Sequence, residues 1–206
     1  RDLALAIDSR VQEQLHRAIT ELVAEGRFVA GAGVIMDTRT GELIALASTP
    51  EYDSNVLAKG DDREKINAYL RNPRLPFLNR AVAGVYTPGS IVKPIIALGA
   101  LTEGAISPEK KILSTGALTL PNPYDPEHPT LFKDWKAHGW VDMRQALAVS
   151  SNVYFYTIGG GFEGQPGIGI ANINKYAALF GLGQKTGVEF TNEEIGLVPT
   201  PAWKAE

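Results

Sequence analysis

A serine and a lysine three residues apart form the most chemically suggestive pair in this chain. In Pro88-Gly89-Ser90-Ile91-Val92-Lys93-Pro94, that spacing puts the hydroxyl and the amine on one face of a helix. A free serine hydroxyl is a poor nucleophile. A lysine desolvated by apolar neighbours has a lowered pKa and can take the serine proton. Ile91, Val92, Ile95 and Ile96 are predicted to supply those neighbours. A helix N-terminus adds free backbone N–H groups, so the amide of Ser90 is a candidate donor to an oxyanion. S-x-x-K alone is commonly just an exposed helix start, and its weight depends on context.

A second polar element interrupts an apolar stretch at Ser150-Ser151-Asn152, within Ala148-Val149-Ser150-Ser151-Asn152-Val153-Tyr154-Phe155-Tyr156. Burying such a triplet without hydrogen-bond partners is costly. A serine pair that caps or back-bonds to a helix explains it without any chemistry. Downstream of an S-x-x-K element it also fits S-x-N, with Ser150 relaying a proton near Lys93 and Asn152 donating to or orienting a substrate amide. Ser90, Lys93, Ser150 and Asn152 are therefore the catalytic candidates.

The elements that must position these residues follow from periodicity and punctuation. After an extended lead-in, Leu3 to Ile7, Asp8 or Ser9 is predicted to cap a helix with Val11, Leu15, Ala18, Ile19, Leu22 and Val23 at helical spacing, ended by Gly26. Residues 30–36 and 43–48 read as two strands joined by the turn-rich Asp37-Thr38-Arg39-Thr40-Gly41-Glu42. A loop around Tyr52-Asp53-Ser54-Asn55 and a short helix over 64–70 come next. The turn cluster at Tyr86 to Gly89 precedes a helix from Ile91 to Glu103, closed by Gly104. Four prolines, Pro121, Pro123, Pro126 and Pro129, make 114–139 a loop over one face. Helices are predicted over 142–158 and 168–180, the last ended by Gly181-Leu182-Gly183.

Composition sets the outer bounds. With 206 residues, 44% hydrophobic and 21% charged, the chain can bury one substantial core. A net charge of -3 argues against a nucleic-acid partner, which needs a concentrated basic patch. There is no cysteine, which excludes disulfides and thiolate metal ligands and is compatible with an oxidising compartment. No run approaches the ~20 apolar residues of a membrane span. The last residues, Pro199 to Glu206, begin a helix that is not completed, so the chain reads as part of a longer domain.

Several further segments extend the two motifs: Asp37 to Leu46, Ser48-Thr49-Pro50-Glu51-Tyr52-Asp53, Asn79-Arg80-Ala81, Asp134-Trp135-Lys136 and Pro199-Thr200-Pro201-Ala202-Trp203-Lys204. S-x-x-K followed by S-x-N belongs to the signature set of beta-lactamases and penicillin-binding proteins. On these residues the chain resembles the transpeptidase domain of class B penicillin-binding proteins, most closely the elongation type, penicillin-binding protein 2. The resemblance covers nearly the whole chain.

It implies an α/β (α+β) penicillin-binding-protein/beta-lactamase-like transpeptidase fold: an antiparallel sheet flanked by helices, plus a mostly helical subdomain. Residues 1–206 would be a partial domain lacking its C-terminal strands, with 1–50 and 86–104 in the sheet-helix core and roughly 105–185 in the helical subdomain. Without those strands the 30–48 hairpin would present an open apolar edge. The implied activity is that of a serine-type D-Ala-D-Ala transpeptidase cross-linking peptidoglycan during cell elongation, acylated by beta-lactams at Ser90. Its partners would be peptidoglycan stem peptides, beta-lactam antibiotics and cell-wall elongation proteins, on the periplasmic side of an inner membrane to which the parent protein is anchored. No cofactor is implied.

Two features need separate treatment. Lys185-Thr186-Gly187 spells the family's third motif, but Val188 follows where the family usually has Thr or Ser. The surrounding Phe180 to Phe190 resembles a loop that precedes the true motif, so Lys185 is read as a decoy. Some elongation-type members bind zinc near the active site through carboxylate, His and Cys ligands. Asp134 and His138 lie where part of that set would be, yet Ser114 and Leu147 are poor ligands, so no metal site is assigned. A class D beta-lactamase or beta-lactam sensor, and a non-catalytic binding module, are the competing readings.

Overall fold

The computed structural model describes residues 4–122, 124–190 and 192–205. Leu3, Pro123 and Glu206, which enter the expectations above, lie outside them. The chain divides into two compact units, Arg1–Val85 with Gly187–Glu194, and Tyr86–Thr186 with Ile195–Glu206. Residues 86–104 fall in the second of these units, together with the helices that follow them.

The first unit is built on α1 (Ser9–Ala24), β1 (Gly31–Met36) and β2 (Leu43–Thr49). Asp8 caps α1 by accepting from the amides of Arg10 and Val11, as a helix N-cap should. β1 and β2 pair antiparallel, with Val34 opposite Leu46 and an irregularity at Ile35/Met36. The apolar face of α1 is narrower than its periodicity suggests, because Ala18 and Leu22 are exposed. Leu15, Ile19 and Val23 instead cover Gly31 and Gly33. A Cβ on Gly33 would sit 2.9 Å from Leu15 and one on Gly31 2.7 Å from Ile19, so glycine at both positions sets how closely helix and strand approach.

The expected open edge is half closed. The side chain of Gln12 donates to the carbonyl of Leu46 and accepts from its amide, both at 2.8 Å, imitating a neighbouring strand. One turn earlier the amide of Asp8 donates to the carbonyl of Ile44. The outer edge of β2 is thereby occupied by α1, and a second strand beside β1 is not found among the described residues. Gln12→Leu, which strands two backbone groups of Leu46, is expected to destabilise the unit by about 1–3 kcal/mol, read by urea unfolding.

Asp53, expected in a loop, caps a further helix, α2 (Ser54–Lys59), which is followed by α3 (Arg63–Arg71). Behind them the half-turned chain 72–83 is organised by Arg80, whose guanidinium donates to the carbonyls of Arg74, Leu75 and Leu78.

The second unit opens with a 3-10 turn, Gly89–Val92, that runs into α4 (Lys93–Thr102). The span expected to be loop holds two short strands, β4 (Ala117–Leu120) and β5 (Thr130–Lys133), and is bounded by two more, β3 (Ile112–Ser114) and β6 (Gly139–Val141). β3 pairs with β6, and β4 with β5. Pro121, Pro126 and Pro129 fall between β4 and β5, so they shape the connection without breaking a ladder.

The helix predicted over 142–158 is two helices, α5 (Met143–Ala148) and α6 (Asn152–Gly160). Ser151 causes the break by capping α6 with its hydroxyl, which accepts from the amide of Tyr154. Such local side-chain bonds compete with helix continuation. α7 (Gly169–Leu179) and α8 (Pro201–Ala205) complete the unit. α6 is its axis, with Tyr154 and Ile158 fully buried among Ala97, Ala100, Val141, Met143 and Ile168. Gly99 admits the ring of Tyr176 from α7, where a Cβ would meet that ring at 2.9 Å.

Candidate active site

Lys93 is the buried centre of the site. It is the first residue of α4, with 7% of its surface exposed. Its ammonium donates to the carbonyl of Ser150 at 2.7 Å, to the hydroxyl of Ser150 at 3.0 Å and to Oδ1 of Asn152 at 2.7 Å. The ring of Phe155 lies 5.6 Å from Nζ. Burial pushes the amine below its ordinary pKa, against the opposing pull of the Asp134 charge. The predicted surround is only partly right. Ile91 is 76% exposed, and aromatic cover comes from Phe155 on α6.

The three partners are not equivalent. Carbonyl oxygens of Ser150 and Asn152 can only accept, so they hold two N–H bonds in either charge state. The Ser150 hydroxyl can accept from the ammonium or donate to the lone pair of the neutral amine. It is the contact that can reverse when the proton moves.

Ser150 reaches this position through its backbone. Its φ of 54° is left-handed, a conformation that costs a non-glycine residue roughly 1–2 kcal/mol. With that turn, both its carbonyl and its hydroxyl bond to Lys93. Strain of this kind is concentrated at functional sites.

Ser90 lies on the 3-10 turn one step before Lys93, where side chains at i and i+3 eclipse. Its carbonyl accepts from the amide of Lys93, and the residue is exposed. The structure thus brings Lys93, Ser150 and Asn152 into direct contact and sets Ser90 on the adjoining turn, its hydroxyl outside that hydrogen-bonded trio. Asn152, read as a substrate-facing residue, spends Oδ1 on Lys93 and donates Nδ2 to the carbonyl of Lys133 on β5 at 3.3 Å.

Behind the trio is a group that sequence reasoning did not assign to the site. The side chain of Asp134 is fully buried. Its Oδ2 accepts from the hydroxyl of Ser151 at 2.9 Å, the amide of Val153 at 3.0 Å and the hydroxyl of Ser114 at 3.3 Å, and its Oδ1 accepts from the amide of Trp135. Burial alone would raise its pKa, but the amides of Val153 and Asn152, the Ser151 hydroxyl and the Trp135 amide outweigh it and hold the carboxyl at about 2. Because the folded value lies below the ordinary 3.8, its contribution is present above pH 4 and lost as pH falls towards 2. That contribution is about 2 kcal/mol, and Asp134→Asn is expected to flatten the pH dependence of urea unfolding in that window.

Zinc does not fit here. A zinc centre needs at least three protein donors, and no group of three or more His, Asp and Glu side chains converges among the described residues. His138 Nε2 is 3.6 Å from Asp134 Oδ1, but the carboxylate oxygens already face N–H and O–H donors, and Ser114 is itself one of them. Leu147 has no donor atom.

Lys185-Thr186-Gly187 forms no strand. It lies in irregular, exposed chain beyond α7.

An exposed serine one turn ahead of a buried lysine, which is gripped by a Ser-x-Asn turn in a mixed helix-and-sheet chain, defines a known class. The sequence profile of the penicillin binding protein transpeptidase domain matches residues 31–206, and the chain belongs to that family. Among curated relatives, peptidoglycan D,D-transpeptidase MrdA of Acinetobacter baumannii is 37% identical over 205 residues, covering 98% of this chain and 28% of the relative. The chain therefore spans less than a third of that protein's length. The crystal structure of Pseudomonas aeruginosa PBP2 in complex with WCK 5153 superposes with a TM-score of 0.78 at 31% identity, over 98% of this chain and 42% of that one. The PBP2 of the Helicobacter pylori PBP2–MreC complex gives 0.78 at 30% identity, over 93% and 33%. The fold is thus the penicillin-binding-protein/beta-lactamase-like one.

Proposed function

We propose that this chain carries the nucleophile and the proton-handling groups of a serine D-Ala-D-Ala transpeptidase that cross-links peptidoglycan during cell elongation. The contact of Lys93 with Ser150 and Asn152, one 3-10 turn from an exposed Ser90, is the observation that carries it. Ser90 Oγ attacks the carbonyl of the penultimate D-alanine of a stem peptide. The Oγ–C bond forms and the C–N bond to the terminal D-alanine breaks. The hydroxyl proton passes to Lys93 and, through Ser150, to the leaving amine. An amine of a neighbouring stem then attacks the acyl carbonyl: the N–C bond forms, the Oγ–C bond breaks, and the amine's proton returns by the same groups to Ser90 Oγ. The amide of Ser90, free at the head of its turn, is one donor for the oxyanion. A beta-lactam would enter the same route and stop at the acyl-serine.

The names of the relatives favour a transpeptidase over a beta-lactamase. The PBP2–MreC complex among the structural neighbours supports an elongation partner of that kind. We place the full-length protein on the periplasmic face of the inner membrane. None of the helices among the described residues is long and apolar enough to cross a membrane, so an anchor would lie elsewhere in it.

The test is intact-mass analysis of the full-length protein after exposure to a penicillin, with assay of D-alanine released from a D-Ala-D-Ala stem peptide. One stable adduct and D-alanine release are expected. Rapid hydrolysis of the penicillin with turnover would move the chain to the beta-lactamases, and no adduct on folded protein would leave a binding module.

A further inference from the structure

The Ser150 turn is pinned from both sides by two consecutive residues, Asp134 and Trp135. Upstream of the turn, Nε1 of Trp135 donates to the carbonyl of Val149 at 3.1 Å. Downstream, Asp134 Oδ2 accepts from the Ser151 hydroxyl and the Val153 amide. The two residues are themselves fixed. The amide of Asp134 donates to the carbonyl of Gly116 at 2.9 Å and that of His138 to the carbonyl of Ser114 at 3.0 Å, tying this bend to the strand region. Trp135 packs edge-on against His138 with centroids 4.9 Å apart.

Such investment in one turn calls for a reason. The left-handed Ser150 is disfavoured on its own and would relax if its neighbours were free. Two of the three bonds to Lys93 come from Ser150 itself, so relaxation would take them away. A buried carboxylate with four donors is an unusually stiff anchor, because charge-assisted bonds are the strong ones.

We propose that Asp134 and Trp135 are positioning residues for acyl transfer, a metal-free clamp that holds the Ser150 turn so that its hydroxyl and carbonyl meet Lys93. This rests on the acyl-serine reading above. Neither residue touches the reacting atoms. In this chain hydrogen bonds from Ser151, Ser114 and the backbone occupy the carboxylate that a zinc ion would need. The clamp therefore acts on the rate of acylation and leaves initial binding of the acyl donor alone.

The experiment uses the full-length protein, wild type and Asp134→Asn, with Ser151→Ala as the milder variant should the first fail to fold. A fluorescent penicillin gives the acylation rate constant and the dissociation constant of the initial complex. Hydrogen exchange by mass spectrometry reports on residues 149–155, with α7 as the internal reference. For Asp134→Asn a 10- to 100-fold slower acylation step is expected, about 1.4–2.7 kcal/mol in the barrier, with the initial dissociation constant within twofold and exchange of 149–155 at least tenfold faster while α7 is unchanged. For Ser151→Ala the expected slowing is about 3- to 10-fold. Unchanged exchange at 149–155, wild-type acylation in the variants, or a loss confined to initial binding would overturn the clamp. So would a wild-type rate that falls on EDTA treatment and returns with zinc, or about one zinc per chain by elemental analysis. If wild-type protein forms no adduct at all, it is the acyl-serine reading that fails, a different outcome from any of these.

Discussion

Ser90→Ala leaves the full-length protein folded and without a penicillin adduct: intact mass before and after exposure is expected to be identical, and D-alanine release to fall to background. Two observations make this the largest effect. Ser90 is exposed on its 3-10 turn, and its carbonyl accepts from the Lys93 amide, a bond that alanine keeps. Exposed substitutions that break no cap or buried bond are usually within about 0.5 kcal/mol of neutral. The loss would therefore be chemical. Losing a nucleophile that forms a covalent intermediate removes the reaction path itself, and single removals of this kind cost up to about a millionfold in rate in other acyl-serine enzymes. A retained adduct in Ser90→Ala would move the nucleophile to another hydroxyl, with Ser150 the nearest candidate by its contact with Lys93.

Much of this site was legible in the sequence because its signals are local. Turn residues ahead of an apolar run placed Ser90 at a helix start, and the polar triplet marked Ser150 and Asn152. What was misread depends on partners far along the chain or on one competing side-chain bond. Residues 142–158 look continuous because Ala146, Leu147, Val149, Val153 and Tyr154 keep helical spacing through the triplet. The break is made by Ser151, whose hydroxyl serves the Tyr154 amide and also reaches Asp134, seventeen residues away. Ile91 was placed around Lys93 by spacing alone, yet it points to solvent, and the cover comes from Phe155. Prolines made 114–139 look irregular, but they are gathered between β4 and β5, leaving the strand residues on either side free to pair. Asp134-Trp135-Lys136 could be picked out as a familiar segment, whereas its role depends on what α6 brings to it.

Lys93 separates two accounts of the same site, because a cation that only organises Ser150 and Asn152 and a base that takes the serine proton predict different chemistry. Lys93→Met removes both and is expected to slow acylation by about 10²- to 10⁴-fold, the usual range for a positioned general base. Lys93→Arg keeps the positive charge and several donors, but a guanidinium does not deprotonate in proteins and cannot act as the base. If Lys93 is the base, arginine loses about as much as methionine. If it is only an electrostatic support, arginine recovers most of the rate.

The pH profile gives an independent reading of the same question. Burial depresses the amine of Lys93 below its ordinary 10.5 while the Asp134 charge pulls the other way. The neutral, proton-accepting form therefore gains population as pH rises through the depressed value. Wild-type acylation is expected to climb with pH along a limb whose midpoint lies below 10.5, and that limb should be absent in both variants. Asp134→Asn removes the opposing charge, so in that variant the surviving limb should move to lower pH even as the rate at its plateau falls. A limb that stays in Lys93→Met would assign the titration to another group and leave Lys93 as support for the Ser150 turn.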